Sequence, residues 1–258
     1  MSKVNFCSGE LIHRKDVSGR LAVFTFRCAE PLSFKAGQYA TLRIPGTGEL
    51  VERPYSIVSS PRESCLEFFI ELVPTGLFTP KLWSMRLGSA IQIRRRVVGQ
   101  FTLDRSINRH LMIATVTGVA PFISMIRTQQ LERQLVAGVR EQFLLIHGAS
   151  RSEDFGPYYH ELEEVAGEGW LTYVPTISRP WEELNWRGET GRVEDIVERP
   201  KRARMLECPR GVQGHEPVRV GVRGRGIEPR VYRLVRVRVE RVDICDGVPQ
   251  PDVRVPGG

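Results

Sequence analysis

The stretch His110-Leu111-Met112-Ile113-Ala114-Thr115-Val116-Thr117-Gly118-Val119-Ala120-Pro121 marks a change of architecture in the chain. Its first half is an apolar run without polar alternation. Its second half is a turn that leads into a helical stretch ending near residue 135. A strand that reads as one continuous apolar run is buried on both faces, as in a parallel sheet. The rhythm repeats downstream, with a strand over 142–147, a helix over 158–165 and a strand over 171–177. Strands alternating with helices predict a parallel sheet covered on both sides.

Upstream the texture is different. Leu21-Ala22-Val23-Phe24-Thr25-Phe26, Gln38-Tyr39-Ala40-Thr41-Leu42-Arg43-Ile44, Cys65-Leu66-Glu67-Phe68-Phe69-Ile70-Glu71-Leu72-Val73 and Ala90-Ile91-Gln92-Ile93-Arg94 are short strands bounded by turn residues. One helical stretch, over 78–85, interrupts them. Strands of this length and spacing predict a closed antiparallel β-barrel. The junction between barrel and α/β unit falls at about 104–108. Beyond 200 neither rhythm holds, and Arg, Val, Gly and Pro are in excess. Residues 201–258 carry 13 Lys+Arg against 7 Asp+Glu, a net of +6, whereas residues 1–200 carry 24 against 23, a net of +1. The basic character therefore belongs to the tail and not to the folded body.

With 258 residues, 41% hydrophobic and 26% charged, the chain suits two ordinary domains with a real core. This excludes a disordered chain, a coiled coil and a collagen-like fibre. No run of about 18 apolar residues predicts a membrane span, and the first residues lack the apolar core of a secretion signal. A cytoplasmic, non-membrane protein is expected. Five scattered cysteines (Cys7, Cys28, Cys65, Cys208, Cys245) form no CxxC pair. They argue against a disulfide framework, a zinc site or an iron–sulfur cluster. His13, His110, His147, His160 and His215 lack ligand spacing, so no metal is expected, and His147 at a strand end reads as a satisfied structural residue.

Four motifs carry chemistry. In Arg53-Pro54-Tyr55-Ser56, at a strand end, an arginine fork can hold a phosphate. The tyrosine two residues on shares its face and offers a ring to a flat heterocycle, and the serine can donate to a ring nitrogen. A plain Arg-Tyr strand end is the alternative. In Val73-Pro74-Thr75-Gly76-Leu77-Phe78-Thr79-Pro80, Gly76 admits a close anion and Thr79 adds a hydroxyl near a helix start, which suits a pyrophosphate. The same residues also read as an ordinary cap, Thr79 before Pro80 at the first helical position. The turn over 115–121 sits where ligands bind in a parallel sheet. Its single glycine matches the dinucleotide fingerprint poorly. Lastly, Arg151 follows the second α/β strand and Ser178-Arg179-Pro180 the third, with Arg192 further on. These are cations suited to a ribose 2′-phosphate, or simply solvated arginines.

Taken in order, these motifs resemble the ferredoxin–NADP reductase family, particularly its short bacterial type, over about residues 5–199. The resemblance implies an antiparallel FAD-binding β-barrel (1–105) followed by an α/β parallel-sheet NADP-binding domain (106–200) incomplete at its C-terminus. It implies FAD at Arg53, Pro54, Tyr55 and Ser56, with Arg53 at the pyrophosphate region, Tyr55 beside the isoalloxazine and Ser56 near flavin N5. Tyr55 and Ser56 would be the catalytic pair. Phe69, Ile70, Gly76, Leu77, Phe78 and Thr79 would line the rest, and Thr117 would touch the flavin. Thr115 and Gly118 would meet the nicotinamide and pyrophosphate of NADP(H), and Ser150, Arg151, Ser178, Arg179 and Arg192 its 2′-phosphate. The family's loop reads Thr-Gly-Thr-Gly-x-Ala-Pro. Here Val116 stands for its first glycine, at some loss of backbone freedom.

The implied reaction is hydride exchange between NADP(H) and FAD, then one-electron exchange with an acidic carrier, ferredoxin or flavodoxin. Lys81, Arg94, Arg95 and Arg96 are candidates for steering that carrier. No nucleic-acid partner is expected. The alternatives are a reductase subunit of another redox complex and a reductase impaired by its altered C-terminus. Residues 201–258 lack the family's Cys-Gly-x-Pro, closing helix and terminal aromatic. They read as a GC-rich frame translated out of register, and poor order is expected of them.

Overall fold

A computed structural model describes residues 5–45 and 51–198. The tail over 201–258, and the expectations made for it, lie outside the described residues.

Six strands form the first sheet: β1 (Phe6–Asp16), β2 (Leu21–Cys28), β3 (Tyr39–Arg43), β4 (Glu52–Ser56), β5 (Cys65–Glu71) and β6 (Ala90–Arg94). They lie in the order β4-β3-β6-β1-β2-β5, and every pairing is antiparallel. The chain beyond β4 brings the two edges together. Val58 N–H donates to the Glu67 carbonyl at 2.8 Å, and Glu67 N–H to Ser59 Oγ at 3.0 Å. The sheet thereby closes into the expected barrel, which leaves few open edges. Strand alternation turns Ala22, Phe24 and Phe26 of β2 and Phe68 and Ile70 of β5 into the barrel core, with Leu11, Leu42, Ile91 and Ile93. The opposite face of these two strands is also covered: Leu21, Val23 and Phe69 join a second core shared with the α/β unit. A strand buried on both faces explains why β2 shows no polar alternation.

The second sheet is parallel, in the order β10-β9-β8-β7, from β7 (Arg109–Thr115), β8 (Gln142–Ala149), β9 (Leu171–Ile177) and β10 (Glu189–Thr190). A short helix in the barrel unit is α1 (Thr79–Trp83). The sheet is served by α2 (Ala120–Leu135), α3 (Tyr158–Ala166) and α4 (Val193–Glu198). Helices α2 and α3 share one core with Met112, Ala114, Phe143 and Leu145. On the other face Val193 and Ile196 of α4 cover Leu111, Ile113, Ile146 and Val174. Both faces are covered, which is what the unbroken apolar strands require.

The two units meet along α2. Ser124 Oγ donates to the Ser59 carbonyl at 2.7 Å, and Ser60 Oγ lies 2.8 Å from Thr128 Oγ1. Between them Arg127 meets Glu67 at 3.1 Å and Glu63 at 3.6 Å on the barrel side and Glu161 of α3 at 2.6 Å. Burial works against the Arg127 charge, but Glu161, Glu67 and Glu63 outweigh it and hold the guanidinium well above its ordinary value. Tyr158 stacks edge-on to Phe69 with ring centroids 5.1 Å apart. Gly37 has φ +94°, and a Cβ there would lie 2.2 Å from the Phe101 carbonyl oxygen and 2.4 Å from Met125 Cε. Only glycine admits that approach.

Candidate functional site

Strand β4 presents Arg53 and Tyr55 in register with Leu42 and Ala40 of β3, so both belong to one face. Arg53 and Pro54 are exposed, and Tyr55 and Ser56 half-buried. The Arg53 guanidinium donates to the Glu52 carbonyl at 2.8 Å through Nη1. The Tyr55 ring packs at the rim of the barrel core and tilts over Phe78, centroids 5.6 Å apart and planes at 36°. The structure thus brings the first motif against the second.

The second motif differs in detail from its sequence reading. Thr79 does not cap α1; the cap position is Phe78, and no side chain bonds there. Instead the Thr79 hydroxyl accepts from Val73 N–H at 2.9 Å and donates to the Val73 carbonyl at 3.1 Å. One hydroxyl therefore closes the turn over 73–79. Gly76 belongs to the same closure, since a Cβ there would lie 3.1 Å from the Val73 carbonyl oxygen. Leu77 is exposed, 54% accessible, whereas Phe78 is buried. Phe69 and Ile70 are 4% and 1% exposed, so their side chains are engaged in the two cores.

The third motif is a 3₁₀ turn, Val116–Val119, which runs straight into α2. Thr115 is exposed, while Thr117 and Gly118 are buried. The turn packs against β5 of the barrel. Val116 has φ 42°, the one positive φ at a non-glycine residue among the described residues. For a β-branched residue this conformation is strained by about 1–3 kcal/mol. Here the missing glycine leaves its mark. The Val116 carbonyl lies 3.1 Å from Nε2 of His147, whose Nδ1 lies 3.2 Å from the Tyr173 hydroxyl. His147 is wholly buried, as its reading as a satisfied residue expects. Burial pushes its pKa down to about 4, opposed by the hydrogen bond to Val116.

The cations of the fourth motif gather at the carboxyl ends of β8 and β9. Backbone bonds tie the two loops, from Ser178 N–H to the Ala149 carbonyl (2.9 Å) and from Arg179 N–H to the Ser150 carbonyl (3.2 Å). Arg192 follows β10 at the same sheet end, where Gly191 N–H donates to the Ile177 carbonyl at 2.9 Å. A carboxylate that sequence reasoning missed sits between two of these arginines. Glu182 meets Arg151 at 2.5 Å and Arg179 at 3.5 Å. The Glu182-Glu183 pair just after Arg179-Pro180 was the available signal. Among the steering candidates, Arg94 pairs with Glu52 at 2.5 Å and Arg95 with Glu30. Lys81 lies on α1, and Arg96 is exposed.

Comparison with known proteins gives a consistent picture. The family described as oxidoreductase FAD-binding domain matches residues 8–102, and that described as oxidoreductase NAD-binding domain matches residues 112–206. The flavodoxin/ferredoxin–NADP reductases of Shigella flexneri and Escherichia coli K12 are each 32% identical over 183 residues, covering 69% of this chain and 70% of theirs. Among solved structures, a ferredoxin NADP+ reductase from Neisseria gonorrhoeae with bound FAD and NADP superposes with a TM-score of 0.68 at 23% identity. That match covers 80% of this chain and 81% of the other.

Proposed function

Since this chain belongs to the flavodoxin/ferredoxin–NADP reductase family, we propose that it moves electrons between NADP(H) and ferredoxin or flavodoxin by way of FAD. The observation that carries this reading is the seam itself. The continuation of β4, at Ser59, and the helix that follows the 3₁₀ turn, at Ser124, are bonded to each other at 2.7 Å. The strand end proposed for the flavin and the turn proposed for the nicotinamide are thereby tied to one joint.

The residues fit the cofactor. An exposed guanidinium, a half-buried ring and a hydroxyl follow one another along β4, as a phosphate, a tricyclic ring and a ring nitrogen would need. When bound, FAD supplies the exchange between two-electron hydride chemistry and single-electron transfer. The chain supplies position. Arg53 neutralises the pyrophosphate. Tyr55, buttressed by Phe78, flanks the isoalloxazine, and Ser56 donates towards its N5. Gly76, Leu77, Phe78 and Thr79 contribute the shape of the turn, and Phe69 and Ile70 act through their backbone. Thr115, Thr117 and Gly118 order the nicotinamide end. Ser150, Arg151, Ser178, Arg179 and Arg192 take the 2′-phosphate, with Glu182 displaced from between the arginines. An orientation fixed before reaction removes much of the entropic barrier to hydride transfer.

The test is direct. The purified chain should show a flavin absorption band. It should oxidise NADPH in preference to NADH with an artificial acceptor, and pass electrons to ferredoxin or flavodoxin. A colourless protein that takes up no added FAD refutes the proposal.

A further inference from the structure

Val116 occupies a backbone conformation that its own side chain disfavours, because in the left-handed region Cβ crowds the adjacent carbonyl. The preceding residue, Thr115, is ordinary extended chain (φ −126°, ψ 133°), so the reversal into the 3₁₀ turn happens at Val116 itself. Such a conformation persists only where the surroundings enforce it. Part of the enforcement is packing: Val116 lies against both the core around Val119 and Phe122 and the cluster of Phe155 and Ile177. The directional part comes from β8. In the parallel register Ala114 faces His147 and Thr115 faces Gly148, so His147 lies level with the end of β7 and its Nε2 reaches the Val116 carbonyl at 3.1 Å.

A carbonyl can only accept, so Nε2 carries the proton. Nδ1 then accepts from the Tyr173 hydroxyl of β9 at 3.2 Å. Phe155 stands edge-on to the ring, centroids 4.8 Å apart. With no exposed surface and both nitrogens engaged, the imidazole has one tautomer and one orientation.

The geometry points to Tyr173 and His147 as a latch that holds the Val116 peptide in its left-handed conformation and so fixes the Thr117–Gly118 backbone against the nicotinamide cofactor. His147 is a positioning residue; it exchanges no proton with substrate. The inference rests on the reading of this turn as the cofactor loop.

A double-substitution cycle tests it on the full chain loaded with FAD. His147→Leu removes the donor, and Val116→Gly removes the need for it, because glycine enters this region freely. We expect His147→Leu to weaken NADP+ binding, measured by calorimetry, about tenfold in the natural background and less than about threefold in the Val116→Gly background. His147→Gln, whose amide can donate to the same carbonyl, should recover most of the affinity. The KM for NADPH should follow these changes more than kcat does. Equal losses in both backgrounds, or a His147→Gln protein no better than His147→Leu, overturn the latch in favour of a mere core residue. Amide hydrogen exchange at Thr117 and Gly118, measured without nucleotide, judges the latch separately from the function. It should speed up in His147→Leu and not in His147→Gln, and unchanged exchange overturns the latch. A natural protein that takes up FAD but binds no NADP+ overturns the cofactor-loop reading instead. If His147→Leu does not fold, the His147→Gln affinity and exchange decide: both near those of the natural protein support the latch, and both lost overturn it.

Discussion

At the scale of single residues, the site is marked by groups whose chemistry is already engaged within the chain. Glu182 stands between Arg151 and Arg179, where the proposed reading puts a phosphate. Arg179→Ala should raise the KM for NADPH about tenfold and leave that for NADH nearly unchanged, since a charge-assisted pair contributes roughly 1.5–3 kcal/mol. Glu182→Gln should lower the KM for NADPH a few-fold, because the phosphate then meets no competing carboxylate. Steady-state kinetics with both nucleotides checks the pair. His147 makes a second prediction. Its pKa of about 4 lies below the ordinary 6.5, so the folded state resists protonation that the unfolded chain accepts. Its neutral form therefore brings no penalty above pH 6.5. Stability falls as pH drops from there to about 4, by on the order of 3 kcal/mol, and levels off below. The group facing its unprotonated Nδ1 is Tyr173, itself held neutral by burial. His147→Gln should flatten this limb of the urea midpoint plotted against pH.

At the scale of elements, helix α2 and the turn before α1 matter most. Arg127 is 19% exposed in its side chain and holds three carboxylates from two units. Arg127→Leu leaves those partly exposed carboxylates without their cation and should lower stability by roughly 1–3 kcal/mol, read from denaturant unfolding. Thr79→Val removes both bonds that close the turn over 73–79. It should lower stability by about 1–2 kcal/mol and weaken FAD uptake. Elements were also where the sequence was most readable. Strand 171–177 and the end of α2 at Leu135 came straight from periodicity, because long apolar runs between turn residues leave few alternatives. Strand β8 runs two residues further than its apolar run, through Gly148 and Ala149, since small residues carry little pattern. The capping role of Thr79 was misread because Thr-Pro fits a helix start locally, whereas its partner Val73 is set by the turn. The Arg127 cluster and Glu182 were illegible for another reason. Glu63 and Glu67 reach Arg127 only across the contact between the two units, about 60 residues apart in sequence, and no local spacing encodes that. Val116 was half legible: its place in the loop announced a backbone problem, but not that a buried histidine would meet it.

At the scale of the whole molecule, charge within residues 1–200 is nearly balanced. Arg94 and Arg95, both candidates for attracting an acidic carrier, are matched by Glu52 and Glu30. Long-range attraction should therefore be modest. Glu30→Gln unmasks Arg95. It should raise kcat/KM for ferredoxin or flavodoxin about two- to threefold at low ionic strength, with the gain vanishing in high salt. Stopped-flow reduction of the carrier across a salt series checks this. Among the described residues no helix is long and apolar enough to cross a membrane.

Helix α2 starts at the 3₁₀ turn and carries Ser124, Arg127 and Thr128 along its barrel side within its first three turns. Any rocking of one unit against the other would thus have its fulcrum beside the turn proposed for the nicotinamide. If the proposed site is right, a substitution that loosens the joint should misalign donor and acceptor before it melts either unit. Catalytic output should accordingly fail at a lower temperature than the fold does.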